Sequence, residues 1–343
     1  MAANPLRRLG GALATMALAV CACGEGEARS APIESAPPPN EAAAPVHAAA
    51  APPARLRTIE GLVTIDGAAA QPGAAIDAEQ SVEVPVGGSA AVQLADGGRV
   101  TLEGGSLARV VTDGAAQLLL VRGAAHAVQP PSGNAPRPPL RVVAPSATVE
   151  IGGAGEVYLA VFEGGASWVV VLGGAAAVSN GEADARRRLR TVELPAGQAV
   201  AVSGRSIAEP TPAPGRLSEA REAARALAVT PAEPEVDRLP RDIAAESERL
   251  DQALRWLETE TRRGRELTSQ HDAAVREGRR TEAQRIQREL VEHSQTLYRL
   301  RQLATARWER LRVLWLRLGT LGPLPAADPV EQRRERVVGL LGI

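Results

Sequence analysis

Two hydrophobic periods divide the chain. From about Leu56 to Ser206, short apolar runs recur and each is closed by Gly or Gly-Gly: LVTIDG, SVEVPVGG, AAVQLADGG, RVTLEGG and QLLLVRG. After a Pro-rich break at QPPSGNAPRPP the pattern resumes with LRVV, ATVEIGG, EVYLAVFEGG, SWVVVLGG and QAVAVSG. Runs of this length separated by turn glycines predict strands, so residues 56–206 are expected to form an all-β domain. Within EVYLAVF, Val157, Leu159 and Val161 face one way while Tyr158 and Phe162 face the other. A strand apolar on both faces is expected to be covered on both.

From about Pro240 the spacing changes to steps of three, four and seven. Ile243, Leu250, Leu254 and Leu257 begin a stripe that weakens through Gly264 and His271. REGRR at Arg276–Arg280 reads as a turn, and a stronger stripe follows: Ile286, Leu290, Leu297, Leu300, Ala304, Trp308, Leu311, Trp315 and Leu318. Arg and Glu residues fill the positions between. Residues 240–320 are therefore expected to form an all-α helical hairpin or coiled coil with a charged outer face. A linker carrying a short helix (LSEAREAARALAV) occupies 207–239, and an amphipathic tail occupies 321–343.

The first residues carry a different signal. Arg7 and Arg8 precede an apolar run, LGGALATMALAV, too short to span a bilayer comfortably and suited to a secretory signal. Val20 and Ala22 stand at −3 and −1 of Cys23, which makes residues 1–23 a lipoprotein signal peptide with Cys23 the lipidation site. Acyl chains on Cys23 would tether the protein to the membrane without a spanning helix. Gly24 follows, without the Asp that resembles an inner-membrane retention signal, so the outer membrane facing the periplasm is expected. Residues 24–55 are rich in Pro and Ala and read as a solvated tether, with His47 alone in it.

Composition narrows the chemistry. All 39 basic residues are Arg, and the net charge is −1, so no nucleic-acid partner is expected. The only cysteines are Cys21 and Cys23, which leaves no thiol nucleophile or disulfide downstream. IGGAGEV at Ile151–Val157 invites comparison with a phosphate loop. A dinucleotide fingerprint needs a third glycine, where Tyr158 stands, and a helix at the phosphates, where strand-like residues follow. The absence of Lys excludes a Walker motif, and neither GGSAA nor GGSLA completes a nucleophile elbow. His126, His271 and His293 lie on separate elements, and Asp96 and Asp113 precede glycines as hairpin-turn residues do. Glu258 and Glu260, two apart on a helix, face differently. No enzyme, cofactor or metal site is expected.

Two clusters are candidates for contact with partners. Arg186, Arg187 and Arg188 in ARRRLR could meet an anion, such as a lipid headgroup or an acidic glycan. Trp308, Leu311 and Trp315 are expected as hairpin core or as an exposed partner-binding stripe that could also serve self-association. The second helix turns basic at its end, where Arg299, Arg301, Arg307, Arg310, Arg312 and Arg317 outnumber Glu309.

From about Ile59 to Ser203 the sequence resembles the FecR domain family. The resemblance is carried by AAVQLADGGRVTL (Ala90–Leu102), LLLVRG (Leu118–Gly123), RVVAPSATVEIGGAG (Arg141–Gly155) and TVELPAGQAVAV (Thr191–Val202). The family's Arg-Gly-Thr is Gly-Gly-Ala here, at Gly152–Ala154, so no role of that Arg or Thr is carried over. The resemblance implies a mainly β, twisted β-solenoid or β-sandwich-like domain in the periplasm. Regulators with this domain pass a signal from an outer-membrane receptor to a sigma factor. They carry a cytoplasmic anti-sigma region and one membrane helix, where this chain is read as opening on a lipoprotein signal. The expectation is a non-enzymatic envelope lipoprotein acting as a protein-binding or scaffold module. Its alternatives are a periplasmic regulator of signalling to a sigma factor, or a peptidoglycan- or polysaccharide-binding module.

Overall fold

A computed structural model describes residues 52–113, 115–131, 137–204, 206–228 and 235–342. Cys23, the expected leader, His47 and most of the expected Pro/Ala tether lie outside them. The strands are β1 (Ala54–Glu60), β2 (Thr64–Ile65), β3 (Ala68–Ala69), β4 (Ala75–Ile76), β5 (Ser81–Glu83), β6 (Ser89–Leu94), β7 (Arg99–Glu103) and β8 (Leu107–Asp113). They continue as β9 (Ala115–Gln129), β10 (Leu140–Val143), β11 (Thr148–Ile151), β12 (Gly155–Val161), β13 (Ser167–Gly173) and β14 (Ala175–Ala183). The last are β15 (Leu189–Pro195), β16 (Gln198–Val202) and β17 (Thr211–Pro212). Helices α1 (Leu217–Leu227), α2 (Glu235–Arg276), α3 (Arg280–Leu321) and α4 (Glu331–Leu341) follow.

The strands hydrogen-bond into one mixed sheet of 17 strands that folds over into two layers. Strand β9 belongs to both. Its first half pairs with β8 and, in parallel, with β10, while its second half pairs with β12 and β7. The crossing point is Gly123, with φ of 89° and no room for a side chain, since a Cβ there would lie 2.5 Å from Ser106 Cα. Only glycine combines that backbone angle with so close an approach. The Ser106 hydroxyl fixes the crossing by accepting from the Ala124 N–H and donating to the Ala124 carbonyl.

Alternation along the strands places the core between the layers. Leu56, Val92, Leu102 and Val169 meet Val82, Val110, Leu118 and Val178 from the opposite layer. Each such side chain stabilises the fold by about 1.5–3 kcal/mol on burial. The expected solenoid is corrected here. A solenoid stacks parallel coils, whereas the turns of this chain fold most strands back antiparallel on a neighbour. Asp96 is one such turn residue, with its Oδ1 accepting from the Gly98 N–H at 2.9 Å.

Both layers are apolar on their outer faces too. Tyr158, Ala160, Trp168 and Val170 are covered by Ala220 and Ala224 of α1. Val111, Leu119 and Val143, on the other outer face, are covered by Val313 of α3. The doubly apolar strand β12 is thus covered as expected, with a helix as the second cover.

Helices α2 and α3 pack as an antiparallel hairpin of 42 residues a side, each about 63 Å long. The turn closes on Gly278, at φ of 70°, with the Arg279 N–H reaching the Ala274 carbonyl at 2.9 Å. Helix α2 starts earlier than expected, at Glu235, and carries Pro240 just past its first turn, where the missing N–H leaves the Val236 carbonyl without its helical donor. Leu250, Leu254, Leu303 and Leu311 form the hairpin core near the sheet, and Leu267, Ala274, Ala283 and Ile286 form the distal core. Helix α4 docks Val337 against the first of these.

Candidate functional site

The C-terminal half of α3 is fastened to the sheet by buried charge. Arg317 donates from Nη1 to the Val121 carbonyl at 2.7 Å and from Nη2 to the Phe162 carbonyl at 3.0 Å. Arg310 donates from Nη2 to the Gly204 carbonyl at 2.8 Å and from Nη1 to the Asn180 carbonyl. Glu309 accepts from Gln117 Nε2 at 2.5 Å and from Arg141 Nη1 at 3.1 Å. Buried carbonyls in strands and the loops beside them need donors, and the planar guanidinium supplies several in one plane.

A compact cluster joins β14 to both helices. Glu246 of α2 faces Arg307 of α3, and Glu182 of β14 lies 3.6 Å from Arg307 and 3.0 Å from Arg249. Burial pushes the Arg310 guanidinium down from its usual pKa, and the Glu246 carboxylate opposes that shift. Gly181 stands beside Arg307 and Arg310, in the left-handed region at φ of 73°.

Toward its N-terminus α3 separates from the sheet, and a groove of about 1130 Å³ opens between them. Its floor is the outer face of β11, β14 and β15: Thr148, Glu150, Ala177, Ser179, Thr191 and Glu193. These are the residues that alternate with core-facing Val149, Val178, Val192 and Leu194. Its wall is α3, with Ser294, Tyr298, Gln302 and Thr305 on the stripe that faces the groove and Arg299 and Arg301 on opposite flanks of that stripe. Tyr298 is exposed, and its hydroxyl accepts from Gln302 Nε2 at 2.9 Å. In the residue pairings β15 pairs with β14 alone among the described strands, so no strand lies along its other edge.

The residues singled out in the sequence are dispersed. Trp308 and Trp315 are 6% and 8% exposed and pack with Leu311 in the hairpin core. A second cavity, about 680 Å³, runs beside them toward α4 and is lined also by Arg109, Arg312 and Gln117. In the arginine cluster, Arg188 pairs with Asp184 at 2.8 Å and Arg187 stacks 4.2 Å from the Trp256 ring centre, while Arg186 is exposed. Asp184 accepts from the Arg186 and Arg188 N–H groups, which hold its carboxyl below the usual range.

The basic end of α3 divides in two. Arg307, Arg310 and Arg317 are buried in the anchor, whereas Arg299 and Arg301 line the groove. His126 bonds Glu156 at 2.8 Å, His271 lies against Asp272, and His293 sits between the hairpin helices. Among the described residues no three His, Cys, Asp or Glu side chains converge as a metal site. In IGGAG, Gly153 makes the turn between β11 and β12 at φ of 81°, and a Cβ on Gly155 would meet Ile151 at 2.5 Å. These glycines serve the backbone.

Sequence reasoning missed the groove because floor and wall lie more than a hundred residues apart. One local signal was available. Between Glu292 and Glu309 no acidic residue occurs, so Arg299 and Arg301 have no helical ion-pair partner three or four positions away.

Residues 80–177 match the family model described as FecR protein. The FecR-like segment thus runs from just before β5 into β14 and contains the β9 crossing. Two crystal structures of a candidate anti-sigma factor from Parabacteroides distasonis ATCC 8503 are similar to the chain. One is 21% identical over 39% of this chain and 59% of its own, with a TM-score of 0.31. The other is 20% identical over 43% and 64%, with a TM-score of 0.33. The chain therefore spans less than two thirds of the length of either. Comparison with curated proteins finds no match. Among the described residues no helix is long and apolar enough to cross a membrane.

Proposed function

We propose that this chain is a regulator of envelope signalling to a sigma factor that works by binding proteins, not by catalysis. The observation that carries this reading is the FecR family match across residues 80–177, the central strands of the β region. The family's role in envelope signalling is what favours a regulator over a passive scaffold. The geometry agrees with a binding role. The buried arginines of α3 make β sheet and hairpin one framework, and a framework of that kind presents a surface to a partner. Lipidation at Cys23 would hold this surface at the membrane, with the Pro/Ala stretch as spacer.

The test is genetic. Deleting the gene is expected to change expression of at least one sigma-dependent operon, and the full-length chain supplied in trans should restore it. An unchanged transcript profile under envelope stress and nutrient limitation would overturn the reading. Labelling with an alkyne-tagged fatty acid, compared between wild type and Cys23→Ser, decides the anchor separately.

A further inference from the structure

We infer that the groove between β15 and α3 is a docking site for an extended acidic segment of a partner protein, bound as an added strand on β15. This rests on the protein-binding reading above and names its site.

Three observations meet there. First, β15 has β14 on one side, and the backbone groups turned the other way along Leu189–Pro195 have no strand on them among the described residues. Such an edge is a template for one more strand. Second, the floor beside that edge is not apolar. Thr148, Ser179 and Thr191 offer hydroxyls, which suit a polar chain better than a hydrophobic helix face. Third, the wall is cationic in a particular way. Arg141 and Arg188 line the groove but are paired with Glu309 and Asp184. Arg299 and Arg301 line it too, and no carboxylate stands three or four positions from either on their helix. Glu150 is held by Arg141 at 3.3 Å, so Glu193 is the groove's main remaining negative charge. The balance favours an anionic occupant.

An extended segment fits better than a compact anion. A phosphate would need its donors to converge on one point, whereas Arg299 and Arg301, two positions apart on a helix, leave it from opposite flanks. Alternate side chains of an added strand would face α3, so carboxylates at every second position would turn toward the wall that Arg299 and Arg301 flank. The exposed ring of Tyr298 lies on the same wall and can cover the aliphatic part of such a residue.

The probe is a fluorescent ten-residue peptide of alternating Glu and Val, with a Lys/Val peptide and a Glu/Pro peptide as controls. Binding to the purified mature chain is read by anisotropy, and backbone protection by hydrogen exchange. The Glu/Val peptide is expected to bind and to slow exchange at residues 190–194. Arg299→Glu with Arg301→Glu should weaken it at least about tenfold. The Lys/Val peptide should fail for want of charge, and the Glu/Pro peptide for want of backbone donors. Arg299→Gln with Arg301→Gln, gentler to the helix, should give an intermediate loss.

Absence of binding, an unchanged affinity in both double variants, or protection away from β15 would overturn the proposal. The same double variant is then placed in the chromosome. If the deletion alters sigma-dependent transcripts and the double variant does not, the site is wrong and the regulator reading stands. If neither alters them, both fall together.

Discussion

Arg307 of α3 grips Glu246 of α2 with one nitrogen, Nη1, which lies 3.0 Å from Oε1 and 3.2 Å from Oε2 of the carboxylate. The pair is nearly closed to solvent, at 5% and 1% side-chain exposure. Arg249 and Arg310 lie near the same carboxylate, at 3.4 Å and 3.8 Å. Glu246→Ala therefore leaves a group of guanidinium charges without their shared counter-ion. It is expected to cost about 3–5 kcal/mol, read as a drop in the urea unfolding midpoint. Replacing both partners, Glu246→Met with Arg307→Met, should cost clearly less than Glu246→Ala. The reverse order would show that the loss in Glu246→Ala does not come from the charge left unpaired.

Gly264 makes the notch in α2 that admits His293 of α3. A Cβ at Gly264 would lie 2.7 Å from His293 Nε2 and 3.1 Å from Cδ2. Helix propensity alone favours replacing a mid-helix glycine, by up to about 1 kcal/mol. The contact decides against it for a large side chain, because the ring is only 8% exposed. Gly264→Leu should lower the thermal midpoint, and adding His293→Ala should recover part of the loss. Additive effects in that double-mutant cycle would show that the two residues are not coupled.

At the β9 crossing the neighbour is backbone, which cannot move aside. Gly123→Ala forces a side chain into the left-handed region and against Ser106, for an expected cost of about 2–5 kcal/mol. Gly152→Ala, where nothing lies within reach of the added carbon and φ is ordinary, should change stability little. Parallel urea titrations of the two variants separate the roles. Equal stability would mean that β9 can change layers without its glycine.

Much of this fold was legible because its signals are local. Gly-closed apolar runs gave the strands, Asp96 and Gly97 marked a hairpin turn, and Arg276–Arg280 marked the helical one. What was not legible is pairing across distance. The apolar face of Tyr158 pointed to a second cover but not to α1, and Val313 gave no sign that it would rest on Leu119. Trp308 and Trp315 fall on a helical stripe whether they face a partner or their own hairpin. Only the packing of α2 opposite α3 places them inside. The anchor was hidden for the same reason. Arg310 and Arg317 look like surface arginines in sequence, and their carbonyl partners come from β strands and loops far away in the chain.

Acid should loosen α4 through Glu258. Arg336 donates from Nε to Glu258 Oε1 at 2.7 Å and from Nη2 to Oε2 at 3.0 Å. That hydrogen bonding holds the carboxyl below its usual range, against the smaller effect of burial, and the positive charges of Arg336, Arg262 and Arg255 add to it. A depressed value means that the folded protein binds fewer protons than the unfolded chain over the interval between the two pKa values. The stabilisation is thus complete above the ordinary carboxylate pKa of about 4.3 and disappears as pH falls through the lower folded value. The pair is more than one-third exposed, so solvent screening keeps the effect small. Asp251, which holds Arg333 at 2.7 Å and lies 3.7 Å from Arg336, carries a parallel contact that Glu258→Gln leaves in place. Thermal midpoints measured from pH 6 to pH 3 should therefore fall less steeply in Glu258→Gln than in the wild type. The two curves should converge at the acid end, and parallel curves across the whole range would show that Glu258 titrates without any link to folding.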